Sequence, residues 1–402
     1  MPRTRIQKFT FCVAAIGVML TASALSDASA RTLKSAVGLP TSSAQYYAHE
    51  RLADYVAENT DLKIKVYSMS LLNLKETPPG IRDGIADMGF VLPQYFPAEY
   101  ANFNLAADLS MLSTSGLPSE SPGAAMAGAI MDYTFFNCPE CIDEFENQNQ
   151  VYLGSGASPT YILLCTTPLR TLDDLKSKKF RSGAANFGRW AEYFGGIKVS
   201  MPHNDTYEAM GQGVIDCTMT SALELTNSSF YDVTKAITRR VPGGVYPVAT
   251  NNMSLSVWRT LTLDERKVFL KGSAKAQADL TWKYYAGSKQ NLLDAPDRGI
   301  EVIEPGTDIM DRYQKFVEAD LKIISEQFTK DYGVQNTDQK IAKMSDLVEK
   351  WKNLTEGLED DAEGLAKIYW DELFAKLDAE TYGSNDPSHS SERMIMEMHP
   401  NG

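Results

Sequence analysis

Histidine is scarce in this chain: four residues in 402, His49, His203, His389 and His399, scattered along its length. A metal centre or a Ser/His/Asp relay needs several such groups converging on one point, so the scatter argues against both. Glycine-rich phosphate cradles are missing too, because neither Gly123 and Gly128 nor Gly154 and Gly156 come with the required lysine and spacing. There is no Gly-x-Ser-x-Gly elbow and no His-Glu-x-x-His pair. Basic residues are outnumbered, giving a net charge of −13, which argues against a nucleic-acid partner, because phosphate neutralisation needs a basic face. An acidic total still permits a locally positive cleft. Nothing implies a cofactor or a resident metal.

Long apolar runs are also lacking. The longest, Phe9 to Leu25, follows the basic residues Arg3, Arg5 and Lys8 and ends at the small-residue pattern Ala28-Ser29-Ala30. It is shorter than the ~20 residues that span a bilayer, and it reads as a secretory signal peptide over residues 1–30, with the mature start at Arg31. Cys12 lies inside this run after Phe9-Thr10-Phe11, without the small residues of a lipoprotein signal, so a soluble exported protein is expected. The remaining chain is longer than one core usually serves, and two domains are expected.

Four cysteines remain beyond residue 30: Cys138, Cys141, Cys165 and Cys217. Cys138-Pro139-Glu140-Cys141 has the spacing of a redox or zinc pair, but no second ligand pair accompanies it, and a small disulfide loop is the preferred reading. Cys165 and Cys217 are left as either a second bridge or two buried thiols.

Beyond the signal, strands and helices alternate. Strands are expected at Thr32–Gly38, Leu62–Tyr67 and Ala86–Leu92, with helices capped at Ser42 or Ser43 and near Glu76–Gly84 between them. A loop-rich stretch, Pro93–Pro122, follows. A second unit runs through strands at Val151–Gly154, Tyr161–Thr166, Lys179–Ser182, Lys198–Met201 and Val214–Thr218, interleaved with helices at Thr171–Ser177, Asn186–Phe194 and Asp205–Gln212. Such alternation is the signature of mostly parallel sheets covered by helices. From Leu261 the chain turns helical, with long helices at Leu261–Leu292, Asp308–Tyr332 and Asp338–Leu377 and a short strand, Val302–Glu304. The polar tail from Tyr382 to Gly402 is expected to be disordered. The expected layout is an α/β domain over 31–155 with part of 225–260, another over 156–224 with part of 240–305, helices over 262–382 bridging both, and a disordered tail, 383–402. A cleft between the domains is the natural ligand site.

Two segments carry a specific resemblance. Leu169-Arg170-Thr171-Leu172-Asp173-Asp174-Leu175-Lys176-Ser177-Lys178-Lys179-Phe180-Arg181 is similar to the "threonine, Asp-Leu-Lys, Lys-x-Arg" signature of the substrate-binding proteins of TRAP transporters, the C4-dicarboxylate type. Further on, Asp205-Thr206-Tyr207-Glu208-Ala209-Met210-Gly211-Gln212-Gly213-Val214-Ile215-Asp216 resembles their "acid-x-Tyr-x-Ala-Leu-x-x-Gly-x-x-Asp" segment. Weaker matches at Gly84-Ile85-Ala86-Asp87-Met88 and Val257-Trp258-Arg259-Thr260-Leu261 extend the likeness over most of the chain.

The resemblance implies a two-domain fold like that of periplasmic binding proteins, with long C-terminal helices. It also implies a non-enzymatic periplasmic receptor that passes a small organic acid to a permease of small and large membrane subunits, working as a monomer. Arg181 takes the place of the family's carboxylate-gripping arginine, whose planar fork matches a carboxylate. Gly183 and Ala184 adjoin it, Thr220 falls on the family's substrate-bonding asparagine and His203 on a pocket aromatic. The first domain is expected to contribute Leu39 and Ser42 at one strand end and Pro93, Gln94 and Tyr95 after another. Where the family has a helper arginine, Ser158 to Cys165 has none. Few charges opposite Arg181 point to a monocarboxylate with hydroxyl or aromatic parts more than to a dicarboxylate. A binding protein of another transporter type or a sensor, and a periplasmic enzyme, are the competing readings.

Overall fold

The computed structural model describes residues 31–384, apart from 116–118 and 120. The expected signal peptide and residues 385–402 of the expected tail lie outside the described residues. Strands run in chain order as β1 (Thr32–Ala36), β2 (Lys63–Tyr67), β3 (Met88–Val91), β4 (Gln150–Val151), β5 (Ser155–Ala157), β6 (Ile162–Cys165), β7 (Lys179–Ser182), β8 (Ile197–Ser200), β9 (Cys217–Thr220), β10 (Ala236–Pro242), β11 (Pro247–Ser254) and β12 (Glu301–Ile303).

They form two sheets, each with helices packed on it. The first has the order β2-β1-β3-β11-β4, with β5 also on β11; the second has β12-β10-β6-β9-β7-β8. Both are mixed, because β11 runs antiparallel to β3, and β6 antiparallel to β9 and β10. The chain passes from the first sheet to the second after β5 and returns between β10 and β11, so two connections join the lobes. A third link is the helix Leu263–Asp294, whose N-cap Thr262 forms a reciprocal capping box with Glu265. Its Gly272 lies so close to Leu52 and Tyr55 in the first lobe that a Cβ would sit 2.7 Å from Leu52 Cδ1. Farther along, Gly287 is pressed in the same way against Leu223, which follows β9. One rigid rod therefore touches both lobes.

Strand β11 escaped the sequence reading because it reads Pro-Val-Ala-Thr-Asn-Asn-Met-Ser and yet is buried throughout. Most of its polar side-chain groups are met by neighbours: Asn251 donates to Ser273 and accepts from Gln277, Asn252 donates to Gln150, and Thr250 Oγ1 accepts from Gly156 N, while Asn252 Oδ1 has no partner among the described residues. A buried strand tolerates such residues only where partners are built in.

Three expectations need correction. The single helix expected over 338–377 is two, Thr337–Leu354 and Ala362–Glu372, because Gly357 takes a left-handed φ of 76° and Asp361 caps a fresh helix through Gly364 N. The segment after Pro122 holds helices Pro122–Asp132 and Pro139–Asn147, to which no structure was assigned. Tyr382 does not begin a loose tail; its hydroxyl donates to Tyr152 O at 2.6 Å and its carbonyl accepts from Trp258 Nε1 at 2.7 Å. Both disulfides are formed, Cys138–Cys141 and Cys165–Cys217. The second joins directly opposed residues of β6 and β9.

One buried histidine predicts a pH response. His49 is 1% exposed, with Nδ1 facing Ser35 Oγ at 2.6 Å and Nε2 facing Thr250 O at 2.7 Å. The carbonyl requires Nε2 to carry the proton, and Nδ1 then accepts from Ser35. Burial pushes the imidazole pKa down from 6.5 to about 4, the Thr250 hydrogen bond opposing only in part. Between those two values the unfolded chain binds a proton that the folded one does not, so stability falls as pH falls through that window. The loss attributable to this group reaches about 3 kcal/mol by pH 4. Urea midpoints at pH 7 and pH 5 should therefore differ less for His49→Gln than for the parent; equal differences would assign the acid sensitivity elsewhere.

Candidate functional site

The site grows from the end of β7. The β-strand alternation sends Phe180 into the core against Trp190, with ring centroids 5.8 Å apart, and turns Arg181 to the other face. Arg181 is 2% exposed. Its Nε and Nη2 donate to Met201 O at 3.1 and 3.0 Å, and Nη2 also reaches the Tyr95 hydroxyl at 3.4 Å. No carboxylate among the described residues forms an ion pair with it. Arg189, on the helix that follows, shows the contrast: largely hidden from water too, it lies 2.6 Å from Asp320 and 2.9 Å from Asp108. A buried guanidinium without an acid is energetically unfavourable unless something anionic meets it.

Tyr95 comes from the other lobe, on the short 3-10 turn Pro93–Tyr95 after β3. Its hydroxyl accepts from both Arg181 Nη2 and His203 N, at 3.4 and 3.0 Å, so one side chain ties the lobes together across the cleft. His203 sits on a turn before the helix Thr206–Gly211, and its Nε2 lies 2.8 Å from Ser228 Oγ. Ser228 in turn donates to Glu224 Oε2 at 2.7 Å. With its proton directed at Glu224, the serine accepts from His203, which places a hydrogen on Nε2. Glu224 lies 3.3 Å from the same imidazole nitrogen. Burial raises the Glu224 pKa, but His203, Ser228 and, least of these, Arg181 outweigh it and hold the carboxyl below its ordinary value.

An aromatic wall closes the far side. Tyr161, Phe187 and Tyr246 stack, with Tyr161 centroids 4.8 Å from Phe187 and 5.7 Å from Tyr246. The Tyr246 hydroxyl donates to Gly183 O at 3.0 Å. A Cβ on Gly183 would lie 3.2 Å from Arg181 Nη2, so glycine there leaves the guanidinium room. Tyr284, from the long helix, accepts from Gln45 Nε2. Burial drives the pKa of Tyr161, Tyr246 and Tyr284 well up, keeping these phenols neutral hydrogen-bonding groups.

Of the residues expected from sequence, Leu39, Tyr95, Arg181, His203 and Thr220 line one cavity. Thr220 does not cap the following helix, Glu224–Asn227, which has no side-chain cap. Others fall outside the lining. Ser42 is exposed and its neighbour Ser43 lines the cavity instead, as the cap of the helix Ala44–Asn59. Pro93 is buried and accepts from Asn104 through its carbonyl, while Gln94 donates to Pro247 O at 2.7 Å. Gly183 and Ala184 frame Arg181 and the start of the helix Ala185–Tyr193. Sequence reasoning missed Gln45, Tyr161, Glu224, Tyr246 and Tyr284; of these only Glu224, an acid shortly after the Asp205–Asp216 segment, had a local signal.

The cavity measures about 50 Å³, far below the ~300 Å³ of an ordinary ligand pocket, because Tyr95 draws the lobes together over Arg181. A larger cavity of about 300 Å³ lies along the other side of the long helix, by Trp282 and Arg240, and shares no residue with the Arg181 cleft. Among the described residues no group of three side chains is placed to hold a metal, and no helix is long and apolar enough to cross a membrane.

The family model described as "Bacterial extracellular solute-binding protein, family 7" matches residues 36–331. The chain belongs to this family. A solute-binding protein of Albidiferax ferrireducens is 24% identical over 170 residues, 42% of this chain and 48% of that protein. Solved solute-binding proteins of TRAP transporters share the fold of this family member. A TRAP periplasmic solute-binding protein of Desulfovibrio salexigens superposes with a TM-score of 0.65 at 24% identity, covering 82% of this chain and 99% of the other. The galactonate-bound sugar-acid-binding protein of Advenella mimigardefordensis gives 0.67 at 17% identity, with coverage of 80% and 98%. The periplasmic ectoine-binding protein of Halomonas elongata gives 0.68 at 13%, with coverage of 79% and 99%. The solute-binding family assignment makes the Arg181 cleft, between the two sheets, the candidate binding site.

Proposed function

We propose that this solute-binding protein is the periplasmic receptor of a TRAP transporter, exported by residues 1–30, acting as a monomer and delivering a small organic monocarboxylate to a permease of small and large subunits. The observation that carries this reading is the buried Arg181 without a carboxylate partner: a ligand carboxylate would satisfy the open part of its fork in a water-poor cleft, where charge-assisted bonds are strong. The neighbouring tyrosines and Thr220 supply hydroxyls and ring faces for the rest of the molecule. A solved relative of this fold binds galactonate, which bears a carboxylate among hydroxyls.

A periplasmic enzyme is the weaker reading. His203 and Ser228 meet, yet Ser228 directs its proton to Glu224 and not to the imidazole, the reverse of what a base-activated nucleophile requires.

Ligand capture requires the lobes to part, because the cavity is smaller than an organic acid and Tyr95 bridges it. A thermal-shift screen of hydroxy, sugar and aromatic monocarboxylates on residues 31–402 should yield at least one compound that, at about 100 times its Kd, stabilises by about 2.7 kcal/mol. Small-angle scattering should show the same compound shifting the population toward the compact form. Failure of every acid in the screen to raise the melting temperature would remove the reading.

A further inference from the structure

Glu224 has no place in a cleft built only for a carboxylate. It is 8% exposed, lines the same cavity as Arg181, and commits Oε2 to Ser228 and His203, while Oε1 has no partner among the described residues. Its surroundings are unusual for an acid. Tyr161, Tyr246 and Tyr284 line the same cavity. A buried carboxylate with an oxygen to spare is an arrangement that receives a cationic nitrogen, whose N–H groups it pairs with. A second ligand carboxylate would meet like charge there. An uncharged hydroxyl would satisfy Oε1 with one hydrogen bond but would bring no opposite charge to the carboxylate.

Resting on the receptor reading above, we propose that the cleft selects small zwitterions, with the ligand carboxylate on Arg181 and a protonated nitrogen on Glu224 Oε1, in the cavity that Tyr161, Tyr246 and Tyr284 also line. Arg181 and Glu224 enter the cavity from different elements, the end of β7 and the helix Glu224–Asn227 that follows β9, and no ion pair joins them directly. Arg181 Nη1 and Glu224 Oε1 are the atoms left to meet the opposite ends of a dipolar solute. Thr220 and Tyr161 line the same cavity as neutral groups. The site is then matched in charge order as well as in net charge, so an acid and a base presented on separate molecules would not replace the zwitterion.

The test uses matched trios sharing one skeleton, titrated calorimetrically into residues 31–402. L-proline, tetrahydrofuran-2-carboxylate and cyclopentanecarboxylate form one trio; L-pipecolate, tetrahydropyran-2-carboxylate and cyclohexanecarboxylate form another; L-phenylalanine, 3-phenyllactate and 3-phenylpropionate form a third. In at least one trio the zwitterion should bind about tenfold to a hundredfold tighter than both nitrogen-free members. Glu224→Gln, which keeps the shape and one acceptor oxygen, should bring the ratio of zwitterion to nitrogen-free affinity within a trio down to about one. The wild-type series needs no variant, so a folding defect in Glu224→Gln would not shield the proposal. Equal or tighter binding of nitrogen-free members in every trio overturns it, as does binding of no zwitterion. In the first case, loss of the nitrogen-free members in Arg181→Ala leaves the carboxylate reading standing. Binding of any member unchanged by Arg181→Ala overturns that reading too.

Discussion

Arg181→Ala abolishes ligand-induced stabilisation and leaves the unliganded protein folded with an unchanged or higher melting temperature: that is the expected result, and its two halves have one cause. Removing one member of a hydrogen-bonded buried charge pair weakens binding by about 2–5 kcal/mol, largely because the other charge is left buried and unmatched. Here the other charge belongs to the ligand. The unliganded protein loses hydrogen bonds to Met201 O and the Tyr95 hydroxyl and a minor attraction to Glu224, and it is relieved of a buried cation that has no acid in ion-pair contact. Arg189 would behave differently, since its removal strands Asp108 and Asp320. Arg181→Lys should also bind poorly, because an ammonium cannot offer paired donors in a plane. Calorimetry and thermal melts on the same samples check both halves. Tight binding by Arg181→Ala would sink the anchor role, and a large drop in unliganded stability would make Arg181 a structural residue.

The second large effect concerns the bridge under the site. Cys165 and Cys217 are 52 residues apart in sequence, and closing a loop of that length stabilises by about 4 kcal/mol on the chain-entropy account. The Cys138–Cys141 loop spans a separation of only 3 and is worth less than about 2 kcal/mol by the same relation. The double variant Cys165→Ala/Cys217→Ala should therefore lower the urea midpoint far more than Cys138→Ala/Cys141→Ala. Thiol titration of denatured, unreduced residues 31–402 should find no reactive thiol. If the two double variants unfold at the same midpoint, loop closure is not what the longer bridge contributes. The long bridge also lies where a loosened sheet would be felt, because β9 carries Thr220 at its end and pairs with β7, the strand of Arg181.

Much of the architecture was legible because it is local. Period-two and helical patterns marked β1, β2, β3 and β7 and the helices between β1 and β3 to within a few residues, and the acids after Thr262 marked the start of the long helix. What escaped were the places where long-range partners override local character. Strand β11 carries Thr250, Asn251 and Asn252 into the core because Ser273, Gln277, Gln150 and the Gly156 amide are waiting for them. The break at Gly357 was hidden because apolar residues at helical spacing, Leu347, Trp351 and Leu354 before it and Leu365 and Tyr369 after it, continue on both sides.

The same division runs through the site. By itself the sequence determined that Arg181 ends a strand within a segment resembling a carboxylate-binding signature, because strand, turn and motif are properties of neighbouring residues. Only the tertiary structure decided that this arginine is buried without an acid and that Tyr95 from the other lobe spans to it. The same holds for Glu224, which turns an oxygen into the same cavity beside tyrosines from three separate segments. Those facts depend on how two sheets and a long helix pack. Burial and charge pairing between residues a hundred positions apart leave no trace in local periodicity.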